Sequence, residues 1–163
     1  MKARFGSLLF LGVLVAVSLS AATKTSGTAM CKQDPASPAP LAANDAPGHA
    51  FVVGKAQCTW TGFPVAGQEY KEGVSISMGE ISGDTNTYSG YHVATTMTGD
   101  TSVSKFQGST KMKDGKPVSE SGTWTLTGGT GKLKGIKGKG TYTGTANADG
   151  SMSYKVEGEY SLP

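Results

Sequence analysis

Ser151-Met152-Ser153-Tyr154-Lys155-Val156-Glu157-Gly158-Glu159-Tyr160-Ser161-Leu162, at the carboxyl end, decides the fold class. Met152, Tyr154, Val156, Tyr160 and Leu162 fall on one side of an extended chain; Ser151, Ser153, Lys155, Glu157, Glu159 and Ser161 fall on the other. Successive side chains of a strand point to opposite faces, so a period of two with one apolar set reads as a half-buried antiparallel strand. The same split places Val118, Glu120, Trp124 and Leu126 opposite Ser119, Ser121, Thr123 and Thr125.

Working outward, this texture begins at His49, and no later stretch shows a 3.6-residue apolar period. The alternation predicts strands over Ala50–Trp60, Gly73–Ser82, Thr87–Thr98, Thr101–Lys113, Pro117–Thr127, Lys132–Ile136, Gly138–Asn147 and Ser151–Leu162. Between them lie Gly83-Asp84, Thr98-Gly99-Asp100, Asp114-Gly115, Gly128-Gly129-Thr130-Gly131 and Asp149-Gly150. Joints this short make neighbouring strands antiparallel. About eight strands in residues 49–163 suggest an all-β domain closed into a barrel, because closure removes exposed sheet edges. A two-sheet sandwich is the alternative.

The amino end reads differently. Lys2 and Arg4 precede an apolar run over Leu8–Leu19, and Ser18, Ser20, Ala21 and Ala22 supply small residues for cleavage. This is the pattern of a signal peptide over 1–22, and the run is too short to span a bilayer comfortably. Secretion, or export to a periplasm, follows from it, with no stable membrane anchor. Residues 23–48 carry Pro35, Pro38, Pro40 and Pro47 among small and polar residues, so a flexible leader is expected there. Removing Lys2 and Arg4 leaves 13 Lys and no Arg against 12 acidic residues, a net charge of +1. That balance excludes a nucleic-acid binder, which needs a strongly basic surface with Arg to grip phosphates. Export would place Cys31 and Cys58 in an oxidising compartment, where a disulfide between them is the favoured reading.

The most distinctive segment is Gly128-Gly129-Thr130-Gly131-Lys132-Leu133-Lys134-Gly135-Ile136-Lys137-Gly138-Lys139-Gly140. It resembles the glycine-rich signature of the allene oxide cyclase and dirigent barrels, above all that of their bacterial secreted members. The Lys113–Val118 hairpin and the Val156–Tyr160 ending are similar to those proteins as well. The resemblance implies an eight-stranded antiparallel barrel with a cavity. In plant members that cavity cyclises an unstable fatty-acid epoxide or orients phenoxy radicals. Dirigent-type barrels often form dimers or trimers, so a homo-oligomer is compatible with it. No active-site residue of the family maps onto this chain.

Other constellations are weaker. The glycine segment misses the spacing of phosphate-binding loops and no helix follows it, so it reads as a structural turn. Eight Lys against two acids over residues 101–147 give a local charge of +6, either a solvated face or a patch for an anionic partner. Two histidines and two cysteines make a metal site improbable, and no cofactor is expected. His92 falls opposite Tyr91 and Val93 and reads as solvent-facing. Nothing links it or His49 to a serine nucleophile. Glu120 shares a face with Val118 and Trp124, and Glu80 shares one with Val74, Ile76 and Met78. Either carboxylate would suit acid–base or ligand-steering work if its face points inward.

These residues favour a non-catalytic barrel that binds a small apolar molecule or serves as an envelope component. Glu80, Glu120, Trp124, Tyr142 and Tyr154 are its candidate cavity residues. The rival is a cyclase- or dirigent-like template that steers a reactive substrate. Trp124 has Gly122 beside it on the same face, which leaves room that Tyr142, Tyr154 or a ligand must fill. A barrel plugged by those rings would be purely structural.

Overall fold

The described residues form ten strands: β1 (Thr23–Gln33), β2 (Leu41–Ala42), β3 (Ala50–Thr61), β4 (Pro64–Val65), β5 (Gln68–Ser82), β6 (Thr85–Thr96), β7 (Thr101–Lys113), β8 (Lys116–Gly129), β9 (Lys137–Ala146) and β10 (Met152–Ser161). They are seen in a computed structural model that describes residues 21–163. The signal-peptide reading therefore lies outside the described residues except for Ala21 and Ala22. All pairings are antiparallel. The ring runs β3-β1-β10-β9-β8-β7-β6-β5 and returns to β3 through a β3–β5 pairing. Eight strands thus close into a barrel, with β2 and β4 added outside the ring, and the sandwich alternative falls away.

Two local expectations need correction. The predicted leader is not flexible over its first part: Thr23–Gln33 is a barrel strand, paired with β10 on one side and β3 on the other. Its inward residues are Thr25, Gly27, Ala29 and Cys31, all small, so hydropathy gave no sign of a core face. The predicted strand at Lys132–Ile136 is instead a 3-10 turn at Gly131–Leu133 and the bend that follows it. Gly131 and Gly135 take positive φ, at 52° and 77°, which breaks an extended run. Leu133 and Ile136, three apart rather than two, are both fully buried. The eight-strand count survives because β1 replaces this segment in the ring.

The two ends of the barrel differ. At one, Phe63, Val65, Leu133 and Ile136 join Tyr70, Leu126 and Val156 in a packed floor. Asp100 fixes this floor: it accepts hydrogen bonds from the Gln68 side chain (2.9 Å) and from the Lys132 backbone N–H (3.0 Å). At the other end lie the β5–β6, β7–β8 and β9–β10 hairpins. Asp114 and Gly115, at φ 50° and 72°, make the β7–β8 turn left-handed, as a tight hairpin requires. The Pro-rich segment 34–40 lies at this mouth, held to β3 by an Asp34–Lys55 ion pair of 3.2 Å. Lys111, Lys113 and Lys116 sit at the mouth hairpin, whereas Lys132 and Lys134 follow the floor turn. The excess of lysine in sequence therefore does not gather into one patch.

Cys31 and Cys58 face each other across β1 and β3, with Cα atoms 4.0 Å apart, and form a disulfide. Closing a loop of this length contributes about 3 to 4 kcal/mol in the chain-entropy account.

Candidate ligand cavity

Between mouth and floor the barrel encloses a cavity of about 600 Å³. It reaches from Pro35, Pro38 and Pro117 at the mouth down to Tyr70 and Leu126. An eight-stranded barrel is just wide enough to be filled by side chains or to hold one small ligand. This one is solid at the floor and open above it.

Glycine explains how rings fit in so narrow a space. A Cβ on Gly122 would lie 2.3 Å from the Tyr142 hydroxyl, and one on Gly144 would lie 2.6 Å from the Tyr154 ring. Trp124 rests across two strands at once, over Gly140 and Gly158. In each case the ring lies on a glycine of the neighbouring strand, because no side chain stands between it and the backbone. The room beside Trp124 at Gly122 is therefore taken by Tyr142. Trp124 itself is only 8% exposed.

Four of the five predicted cavity residues line this space: Glu120, Trp124, Tyr142 and Tyr154. Glu80 does not. Its face of β5 points outward, where Ile76 and Met78 are exposed (Met78 at 69%) and Glu80 contacts His49 at 3.0 Å. Val118 is also exposed, beyond a register shift in β7–β8 pairing. His92 corrects in the other direction, for it faces the interior while Tyr91 and Val93 are exposed.

Glu120 is the centre of a polar cluster in the open half. Its Oε1 accepts a hydrogen bond from Thr110 (3.0 Å), and its Oε2 accepts from Tyr154 (2.6 Å) and Tyr88 (3.1 Å). Tyr142 bonds the Tyr88 hydroxyl at 2.9 Å. Burial, and then the adjoining Glu120 carboxylate, push the Tyr88 and Tyr154 phenols far above their ordinary range. Burial likewise pushes Tyr142 up to about 12. None of these phenols ionises near neutrality.

A second cluster is built on His92. Its Nε2 accepts from the Trp60 indole N–H at 3.2 Å, so Nδ1 carries the proton and donates to Ser75 Oγ at 2.8 Å. Desolvation lowers its pKa to about 4. The ring keeps partial exposure to the cavity but is surrounded by protein, which is why it stays neutral. With both nitrogens occupied it is a positioned wall residue, and Trp60 stacks edge-on against it at 5.5 Å. Among the described residues, no group of His, Cys, Asp and Glu is arranged to hold a metal ion.

Tyr88, Thr110, Trp60 and His92 were missed by alternation alone. A signal for them does exist. Every strand of the ring carries a glycine on its inner face, among them Gly54, Gly79, Gly90, Gly108 and Gly122. Counting by twos from those glycines reaches Tyr88, His92, Thr110 and Glu120, and leaves Glu80 outside.

No protein-family model matches this chain, and no curated protein matches it. Among solved structures, the fold is similar to that of a protein of unknown function from the DUF3224 family of Shewanella oneidensis. The two share 15% sequence identity at a TM-score of 0.50, over 88% of this chain and 100% of the other. At that identity the likeness establishes a shared β-barrel fold.

Proposed function

We propose that this is an exported, non-catalytic barrel that holds one small, largely apolar molecule. The observation that carries the reading is the aromatic-lined cavity of about 600 Å³, within the size range of ligand sites. The Cys31–Cys58 bond supports export, since disulfides persist in oxidising compartments. The non-catalytic part rests on the polar groups, which are already engaged. The phenols around Glu120 are too basic to act as acids, and His92 has no free nitrogen. The cyclase- or dirigent-like reading draws on Glu120, a carboxylate placed within an apolar cavity, and it would require the surrounding hydroxyls to exchange partners during turnover.

Titration with N-phenyl-1-naphthylamine, a neutral apolar fluorophore, tests the proposal. Saturable binding at micromolar concentration is expected. Ala56→Phe, which adds a ring to the open half, should weaken it by about tenfold or more, the equivalent of one good apolar contact. Absence of saturable binding to the wild type overturns the proposal.

A further inference from the structure

Most of the cavity wall is uncharged. Among the described residues, two acidic ones line the cavity, Glu120 and Asp34, and no Lys or Arg does. Asp34 sits at the mouth and is already paired with Lys55. His92, the one histidine on the wall, is held neutral. Glu120 is thus the only lining charge without a counter-charge among the described residues.

Its hydrogen bonds spread that charge without cancelling it. Three hydroxyl donors converge on its two carboxylate oxygens, from Tyr88, Thr110 and Tyr154. Those three hydroxyl donors are already engaged by Glu120. An anionic head entering there would meet like charge. A cationic head would meet the carboxylate at the end of an aromatic tunnel. Phe106, Tyr142 and Tyr154 also line that half, and the faces of such rings attract cations.

On the basis of this uncompensated carboxylate, we infer that the occupant is a cationic amphiphile, an alkyl or aryl amine whose ammonium group lies against Glu120 and whose apolar body lies along the rings. The inference rests on the ligand-binding reading above and narrows it to one chemical class. A fatty acid of the same length is disfavoured by the same charge.

Displacement of N-phenyl-1-naphthylamine from the full exported chain near neutral pH tests it. The competitors are dodecylamine, dodecanol and dodecanoate, kept below micelle formation. Dodecylamine should compete at a concentration about tenfold or more below that of dodecanoate, the size of effect expected of a hydrogen bond to a charged group. Dodecanol should fall between them. Glu120→Gln should bring amine and carboxylate to within about twofold, whereas Tyr154→Phe, which keeps the charge, should preserve the order. The wild-type series stands by itself should Glu120→Gln not fold. Equal competition by amine and carboxylate overturns the cationic assignment while leaving an apolar binder intact. An amine preference that persists in folded Glu120→Gln overturns the role given to Glu120. Failure of the fluorophore to bind removes the ligand reading and this inference together.

Discussion

The floor and the open half of the barrel are built from the same eight strands yet use their interior differently. At the floor, Leu133 and Ile136 enter from a turn, and Phe63 and Val65 from the β3–β5 connection, so the ends of the strands are capped by aliphatic and aromatic groups. In the open half the strands supply most of the wall, with residues 34–40 at the mouth. Rings lie flat on glycines there, and hydroxyls tie Glu120 to three strands. Stability is thus concentrated where turns fill the barrel end with apolar side chains, and recognition where the facing strands leave space.

The largest expected effect breaks this contrast if it fails. Leu133→Ala should cost about 3 to 5 kcal/mol, because a fully buried side chain leaves a void in packed surroundings. Phe106→Ala, beside space that is already open, should cost only about 1 to 2 kcal/mol. Equal losses in denaturant unfolding would show that the open half is as tightly packed as the floor.

The disulfide comes next, since it clamps β1 to β3 on the cavity wall. Cys31 and Cys58 should resist alkylation until a reductant is added. Reduction should then remove about 3 to 4 kcal/mol and lower the melting temperature by roughly 10 °C. Labelling of both thiols in the unreduced protein would contradict the bond.

The two histidines separate the inner and outer faces of the barrel through pH. His92 has a folded pKa of about 4, below its unfolded value of 6.5, so protonation favours the unfolded chain. Its contribution is intact above pH 6.5 and is lost progressively as pH falls towards 4. That loss is at most about 3 kcal/mol. His92→Gln should flatten this part of the acid unfolding curve relative to wild type; identical curves would refute a buried neutral histidine.

His49, on the outer surface, has the opposite sign. Asp45 at 2.6 Å, and after it Glu80, raise its pKa above 6.5. The stability it adds is present below pH 6.5 and disappears as pH rises through that higher folded value. The smallest effect is expected at this site. Glu80→Gln should shift the His49 titration downward by NMR and leave both probe binding and the preference for dodecylamine over dodecanoate unchanged, whereas Glu120→Gln removes that preference. A change in probe affinity would place Glu80 in the binding path after all.

The all-β class, the antiparallel hairpins and most strand positions are legible in the residues, because alternation and turn chemistry act over a few neighbours. So are the cysteine pair and the parity that puts Glu120 with Trp124 and Leu126. Which face of each strand is the inside was decided only by closure. A barrel this narrow turns small residues inward wherever a ring from the next strand needs room: Gly73, Ser75, Ser77 and Gly79 face His92 and Tyr88, while Ile76 and Met78 go out to solvent. Hydropathy therefore points the wrong way on β5 and β6, and for that reason Glu80 looked internal and His92 external. The same constraint hid β1, whose inner face of Thr25, Gly27, Ala29 and Cys31 has little hydropathy of its own. Only the ring of eight, with each strand's glycine beneath a neighbour's side chain, fixes which carboxylate meets the cavity.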